Sequence, residues 1–217
     1  YNNFKGEHMI RKTFLAFFTF LFAITTVTAQ KTEESVDPNS TTKHEAVGNF
    51  DGQINLATGL TNVRLSNGFI LAAQSLNIEV MSSSRIRIRR GVATFPITGA
   101  TLDAQTLRGE ILHSSGLIFE RGSAAVKIER FAIDTTGAQP IITGLASANG
   151  SVVGRIPLFN LELSNAQVSA NGPFISIAGV GVTLRSEAAG ALNAVFETDA
   201  FVEGFNIGNA NVIGFNF

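Results

Sequence analysis

From Gly48 to the end of the chain, apolar and polar positions mostly alternate with a period of two rather than the 3.6 of a helix. Leu76-Asn77-Ile78-Glu79-Val80 would put residues 76, 78 and 80 on one buried face. Arg85-Ile86-Arg87-Ile88-Arg89 would put Ile inside and Arg outside. Val126-Lys127-Ile128-Glu129 alternates, and the pattern resumes at Phe131 and Ile133 after a slip of one residue at Glu129/Arg130, as a β-bulge produces. Phe159 to Leu163 and Val180 to Arg185 alternate cleanly. Ser66-Asn67-Gly68, Arg121-Gly122-Ser123, Ala148-Asn149-Gly150 and Asn171-Gly172-Pro173 read as turns between the runs. The expected fold class is all-β: an antiparallel sandwich or closed barrel of short strands.

One stretch departs from that period. Ser186 to Phe196 opens with a capping residue and an acidic first turn, and Ala188, Leu192 and Val195 share a face with Ala189 and Phe196 beside them. It predicts one short helix near the C-terminus, followed by a last strand from about Phe205 to Phe217.

The first 47 residues are of another kind. Lys5-Gly6-Glu7-His8 can be encoded by AAA-GGA-GAA-CAT, which contains the ribosome-binding string AAGGAG just ahead of Met9. Residues 1–8 are therefore expected to be translated leader, and the source bacterial. Residues 9–29 form a signal-peptide pattern: Arg11 and Lys12, an apolar run from Phe14 to Ile24, then Val27 and Ala29 before a cut at Gln30. That run is too short to span a bilayer as a helix, and no later stretch qualifies. Residues 30–47 are polar and aperiodic, a flexible tether, leaving 48–217 as a single all-β domain. The expected location is periplasmic or extracellular.

Composition narrows the chemistry. Among 217 residues there is no Cys, no Trp, one Tyr and 18 Phe, with a net charge of −1. Absence of Cys excludes disulfides, thiolate metal sites and Cys nucleophiles. Near-neutral charge argues against a nucleic-acid partner. The carboxylates are scattered singly, with no calcium-loop spacing, and Gly179-Val180-Gly181 marks a twisted strand rather than a phosphate loop. No metal and no catalytic constellation are expected. The closing alternation Ile213, Phe215, Phe217 resembles the insertion signal of an outer-membrane barrel, although Arg, Lys and Glu stand on the faces that would meet lipid.

Two features stand out as candidate sites. His113 lies in Gly109-Glu110-Ile111-Leu112-His113-Ser114-Ser115-Gly116-Leu117, where hydroxyls flank it, but adjacent strand residues point to opposite faces, so Ser114 cannot pair with it as a nucleophile. It reads as a structural histidine first and a ligand contact second. Arg85, Arg87 and Arg89 form a row on one exposed face, with Arg90 beside them. The row is ordinarily a solvated face paired with carboxylates such as Glu120 or Glu129; as a site it would hold an anionic glycan, a lipid headgroup or a polyanion.

Several segments resemble a group of secreted bacterial β-proteins with an HSGGL-type segment: Phe95-Pro96-Ile97-Thr98-Gly99, Gly109 to Phe119, Gly154 to Phe159, Ala188 to Phe196 with Ala200-Phe201, and Ile207-Gly208-Asn209-Ala210. The histidine-containing stretch is also distantly similar to the HtaA domain of secreted haem-uptake proteins. That resemblance implies a β-rich exported domain binding haem through a Tyr with a His nearby. Only His113 carries over; the one Tyr, Tyr1, precedes the expected cleavage point. The sequence thus predicts an exported, non-catalytic binding or structural module of the cell envelope. Its partner would be an envelope component, a glycan, a lipid or a small apolar ligand, and no cofactor is assigned. Binding of haem or another apolar ligand in the HtaA manner, and a small outer-membrane barrel, stand as alternatives.

Overall fold

The computed structural model describes residues 52–83 and 88–216. In chain order the elements are β1 (Gln53–Leu65), α1 (Asn67–Ser75), β2 (Glu79–Ser82), β3 (Val92–Asp103), β4 (Gly109–His113), β5 (Leu117–Arg121), β6 (Ala124–Asp134), β7 (Ile141–Ala148), β8 (Ser151–Glu162), β9 (Gln167–Asn171), β10 (Phe174–Leu184), α2 (Ser186–Phe196) and β11 (Asn206–Asn216). Eight strands close an antiparallel barrel in the order β6-β4-β3-β1-β11-β10-β8-β7 and back to β6. Of the two architectures the alternation allows, the barrel is the one formed. The first and last strands are neighbours in it, with Val63 opposite Ala210.

Eight strands leave an interior just wide enough for side chains to fill. Ile54, Leu102, Ile111, Phe131, Leu161 and Val182 fill it, one from each of six barrel strands. Arg64, Glu110, Arg155 and Glu162 are exposed. That order of faces, apolar inside and charged outside, is the reverse of an outer-membrane barrel, whose lipid-facing wall is apolar.

The edge of β6 facing β4 and β5 is shared by both. Ala124–Ile128 lies opposite β5 and Ala132–Asp134 opposite β4, so β4 and β5 act as one strand broken at Ser114-Ser115-Gly116. Opposite the break, β6 carries the expected bulge: its register against β7 shifts between Glu129 and Ala132, and Arg130 has a φ of 51°. Gly116 passes so close to β6 that a Cβ there would sit 1.8 Å from the Ile128 carbonyl oxygen. Beyond the break β5 leaves the barrel and takes β2 as its other neighbour.

The stretch read as a turn at Ser66-Asn67-Gly68 instead starts a helix. Ser66 caps α1, its Oγ accepting from the Phe69 N–H at 3.0 Å and donating to the Asn206 carbonyl at 2.7 Å. Asn77 ends the helix at a φ of 54°, so Leu76 and Asn77 belong to its exit and the expected strand shrinks to β2. The expected helix over Ser186–Phe196 is present as α2, but its N-cap is Arg185, without a side-chain cap. The Arg121 guanidinium donates to the Phe196 carbonyl and lies 5.8 Å from the centre of the Phe196 ring, fixing the end of α2 to β5.

Two alanine substitutions test this geometry by denaturant titration. Gly116→Ala should lower stability by on the order of 2–3 kcal/mol, because backbone rather than a flexible side chain must give way. Gly190→Ala, with open space around the new methyl on exposed α2, should raise it by about 0.5–1 kcal/mol.

Candidate functional site

A buried histidine links three strands inside the barrel. His113, the last residue of β4, points inward and is 5% exposed. Its Nδ1 lies 3.3 Å from the Phe131 carbonyl oxygen on β6, and its Nε2 lies 2.8 Å from Thr61 Oγ1 on β1. A carbonyl only accepts, so Nδ1 carries the proton and Nε2 accepts from the Thr61 hydroxyl. The imidazole is therefore neutral and fully engaged. Burial among apolar side chains pushes its pKa down from 6.5 to about 4, against the Phe131 carbonyl, which favours the charged form.

A hydroxyl donating to a histidine is also how a nucleophile is activated. Here the pair is sealed in. Thr61 is 3% exposed, the group behind Nδ1 is a peptide carbonyl rather than a carboxylate, and the adjoining cavity is about 50 Å³. Phe95, Phe131, Phe159 and Val182 line that space. Ser114 is exposed on the opposite face, as alternation requires, while Ser115 is buried with its Oγ unpartnered.

A larger recess lies outside the barrel interior. It is about 220 Å³ and is lined by α1 (Phe69, Ile70, Ala73), β2 (Val80) and the segment entering β3 (Ile88, Gly91). The wall at its last side is a tight turn. Arg89 and Val92 exchange backbone hydrogen bonds of 2.9 and 3.0 Å, while Arg90 and Gly91 have φ of 51° and 72°, both left-handed as in a type I′ turn. The Gly91 carbonyl accepts from the Leu65 N–H at 2.8 Å, tying the turn to the end of β1.

Of the arginine row, Arg85 and Arg87 lie outside the described residues. Arg89 and Arg90 are in the turn, exposed, and make no ion pair with a described residue. Neither carboxylate named for the row pairs with Arg89 or Arg90: Glu129 pairs with Lys127 at 2.9 Å, and Glu120 lies opposite Glu79 in the β2–β5 register. The recess itself escaped the sequence reading, because its main wall, α1, sits where a turn was expected.

No protein-family model and no curated protein matches the chain. Solved structures do. The C-terminal domain of HtaA from Corynebacterium glutamicum superposes with a TM-score of 0.56 at 12% identity, over 75% of this chain and 98% of that one. The N-terminal domain of the same protein gives 0.53 at 12% identity, over 75% and 99%. A looser likeness, TM-score 0.46 at 8% identity over 76% and 96%, is to the heme binding protein HtaB of that organism. The two HtaA domains establish the fold as HtaA-like, in agreement with the resemblance seen at His113.

The interior link makes separable predictions. Above pH 6.5 His113 is neutral folded and unfolded and contributes no pH dependence. Between 6.5 and about 4 only the unfolded chain takes up the proton, so stability should fall with pH, by about 3 kcal/mol across the window. His113→Leu should remove that slope in urea titrations at stepped pH. Thr61→Val should cost about 1–3 kcal/mol by stranding Nε2, and Thr61→Val with His113→Leu should cost less than the two single changes summed. Ser115→Ala, which removes an unpartnered hydroxyl, should be neutral or stabilising in the same assay.

Proposed function

We propose that this chain is an exported, non-catalytic binding domain of the HtaA-like kind that takes a small apolar ligand in the recess between α1, β2 and the Arg89–Val92 turn. The observation that carries the reading is the recess itself: walls that are apolar except at Gln74, an open side, and a free volume of about 220 Å³. The signal-peptide pattern over residues 9–29 supports export to the periplasm or beyond. The sealed Thr61–His113 pair supports a role without turnover.

Haem is the group the HtaA resemblance implies, and the residues present do not suit an iron-ligated haem. The lone pair of His113 Nε2 is taken by Thr61, and the cavity beside it holds about 50 Å³. Among the described residues the recess lining contains no Tyr, His, Cys or Met that would serve as an axial donor. What the recess offers is apolar contact. A binding site of this size, below the usual ~300 Å³ of a drug-sized pocket, suits a narrow ligand or the end of a longer one.

The test is fluorescence titration of the purified chain with N-phenyl-1-naphthylamine, beside an absorption titration with haemin. The dye should brighten on the wild type, and Ile70→Trp or Ala73→Phe, which fill the recess, should abolish the gain. Haemin should show no spectrum of a histidine- or tyrosine-ligated iron. Dye binding unaffected by both filling variants would place the ligand elsewhere and overturn the proposal. In the cell, the mature N-terminus should be Gln30 by terminal sequencing.

A further inference from the structure

We infer that the ligand of this recess is a single-chain amphiphile with one anionic head group, its chain between α1 and β2 and its head group at Arg89 and Arg90. The inference rests on the recess being the binding site and adds the class of ligand. Three observations point to it.

The first is the division of character between wall and rim. Phe69, Ile70, Ala73, Ile78, Val80 and Ile88 supply an apolar lining interrupted by Gln74, whereas the two residues between the lining positions Ile88 and Gly91 are the exposed Arg89 and Arg90. Backbone geometry fixes that placement: the Arg89–Val92 hydrogen bonds close the turn, and the Gly91 carbonyl anchors it to Leu65. Gly91 itself packs against α1, a Cβ there falling 3.5 Å from Ile70 Cδ1. The turn therefore forms the lip of the recess.

The second is that the lip's charge is uncompensated. Neither Arg89 nor Arg90 pairs with a carboxylate among the described residues, although the chain carries slightly more acidic than basic side chains. The acidic residue nearest in sequence to the lining, Glu79, alternates with Ile78 and Val80 and so lies on the other face of β2, opposite Glu120. A guanidinium pair at a water-filled rim with no internal partner is complementary to a carboxylate or phosphate supplied by a ligand.

The third is size. At about 220 Å³ the recess is smaller than the usual ~300 Å³ of a drug-sized pocket, room for one narrow apolar group but not for two acyl chains. That selects a free amphiphile over a diacyl membrane lipid.

Decanoate and 1-decanol, matched in chain and differing in head charge, test the inference by displacement of N-phenyl-1-naphthylamine from the full chain at pH 7. Decanoate should bind roughly ten-fold more tightly at low salt, with the advantage shrinking as ionic strength rises. Arg89→Gln with Arg90→Gln should remove that advantage and leave decanol unchanged, and Ala73→Phe should weaken both. Co-sedimentation with phosphatidylglycerol vesicles should be negligible. Equal affinities for the two probes, or a decanoate affinity untouched by the double arginine change, overturns the anionic head group while leaving an apolar site intact. Strong vesicle binding overturns the single-chain assignment. If neither probe displaces the dye, the recess is not the binding site and both this inference and the reading beneath it fall.

Discussion

A neutral imidazole held between two hydrogen bonds in an otherwise apolar barrel sets the constraints for its surroundings. His113 joins β4 to the backbone of β6 through Phe131 and to the side chain of Thr61 on β1, reaching past β3. Each bond demands a matching partner, because a buried nitrogen without one costs about as much as several good contacts return. Phe95 and Phe131 pack edge-on at 5.2 Å, and the Phe95 ring also stands edge-on to the imidazole at 6.5 Å. The register of β1, β3, β4 and β6 is thereby pinned at one level of the barrel, directly below the place where β4 and β5 part.

That parting creates the second environment. Because Ser114-Ser115-Gly116 interrupts pairing to the barrel, β5 is free to accept β2, and α1 lies beside β2 at the barrel's edge. The recess is a consequence of this branching rather than of any local motif. The two sites accordingly differ in chemistry: the interior buries the Thr61–His113 pair among apolar side chains, whereas the recess is mainly apolar and has the Arg89–Val92 turn beside it. The likeness to HtaA domains concerns the path of the chain.

Much of the architecture is legible from spacing alone, because the period of two is enforced by a barrel with a dry inside and a wet outside. The bulge at Glu129/Arg130 shows as a slip in alternation, and α2 shows as a change of period. By contrast, α1 is hidden. Asn67-Gly68 has turn chemistry, Phe69-Ile70-Leu71-Ala72-Ala73 is too uniformly apolar to reveal a face, and the helix is anchored by Ser66 to Asn206, 140 positions away. That His113 faces away from Ser114 is legible from the alternation, yet its partner Thr61 is 52 positions distant and nothing in the local sequence nominates it. The arginine row reads as an exposed strand face; in the described part, Arg89 and Arg90 turn a corner instead.

The pairing of β1 with β11 has a bearing on how such a chain comes into being. Val63 lies opposite Ala210, and Leu60 opposite Ile213, so the seam that closes the barrel joins residues separated by most of the domain. Hairpins such as β7–β8 close locally and early, but the ring stays open until the final eleven-residue strand is at hand. A polypeptide emerging N-terminus first from a ribosome or a translocation pore has β1 waiting, unpaired on one edge, throughout its passage. Vectorial synthesis thus keeps the domain threadable until β11 arrives, and only then can the ring close.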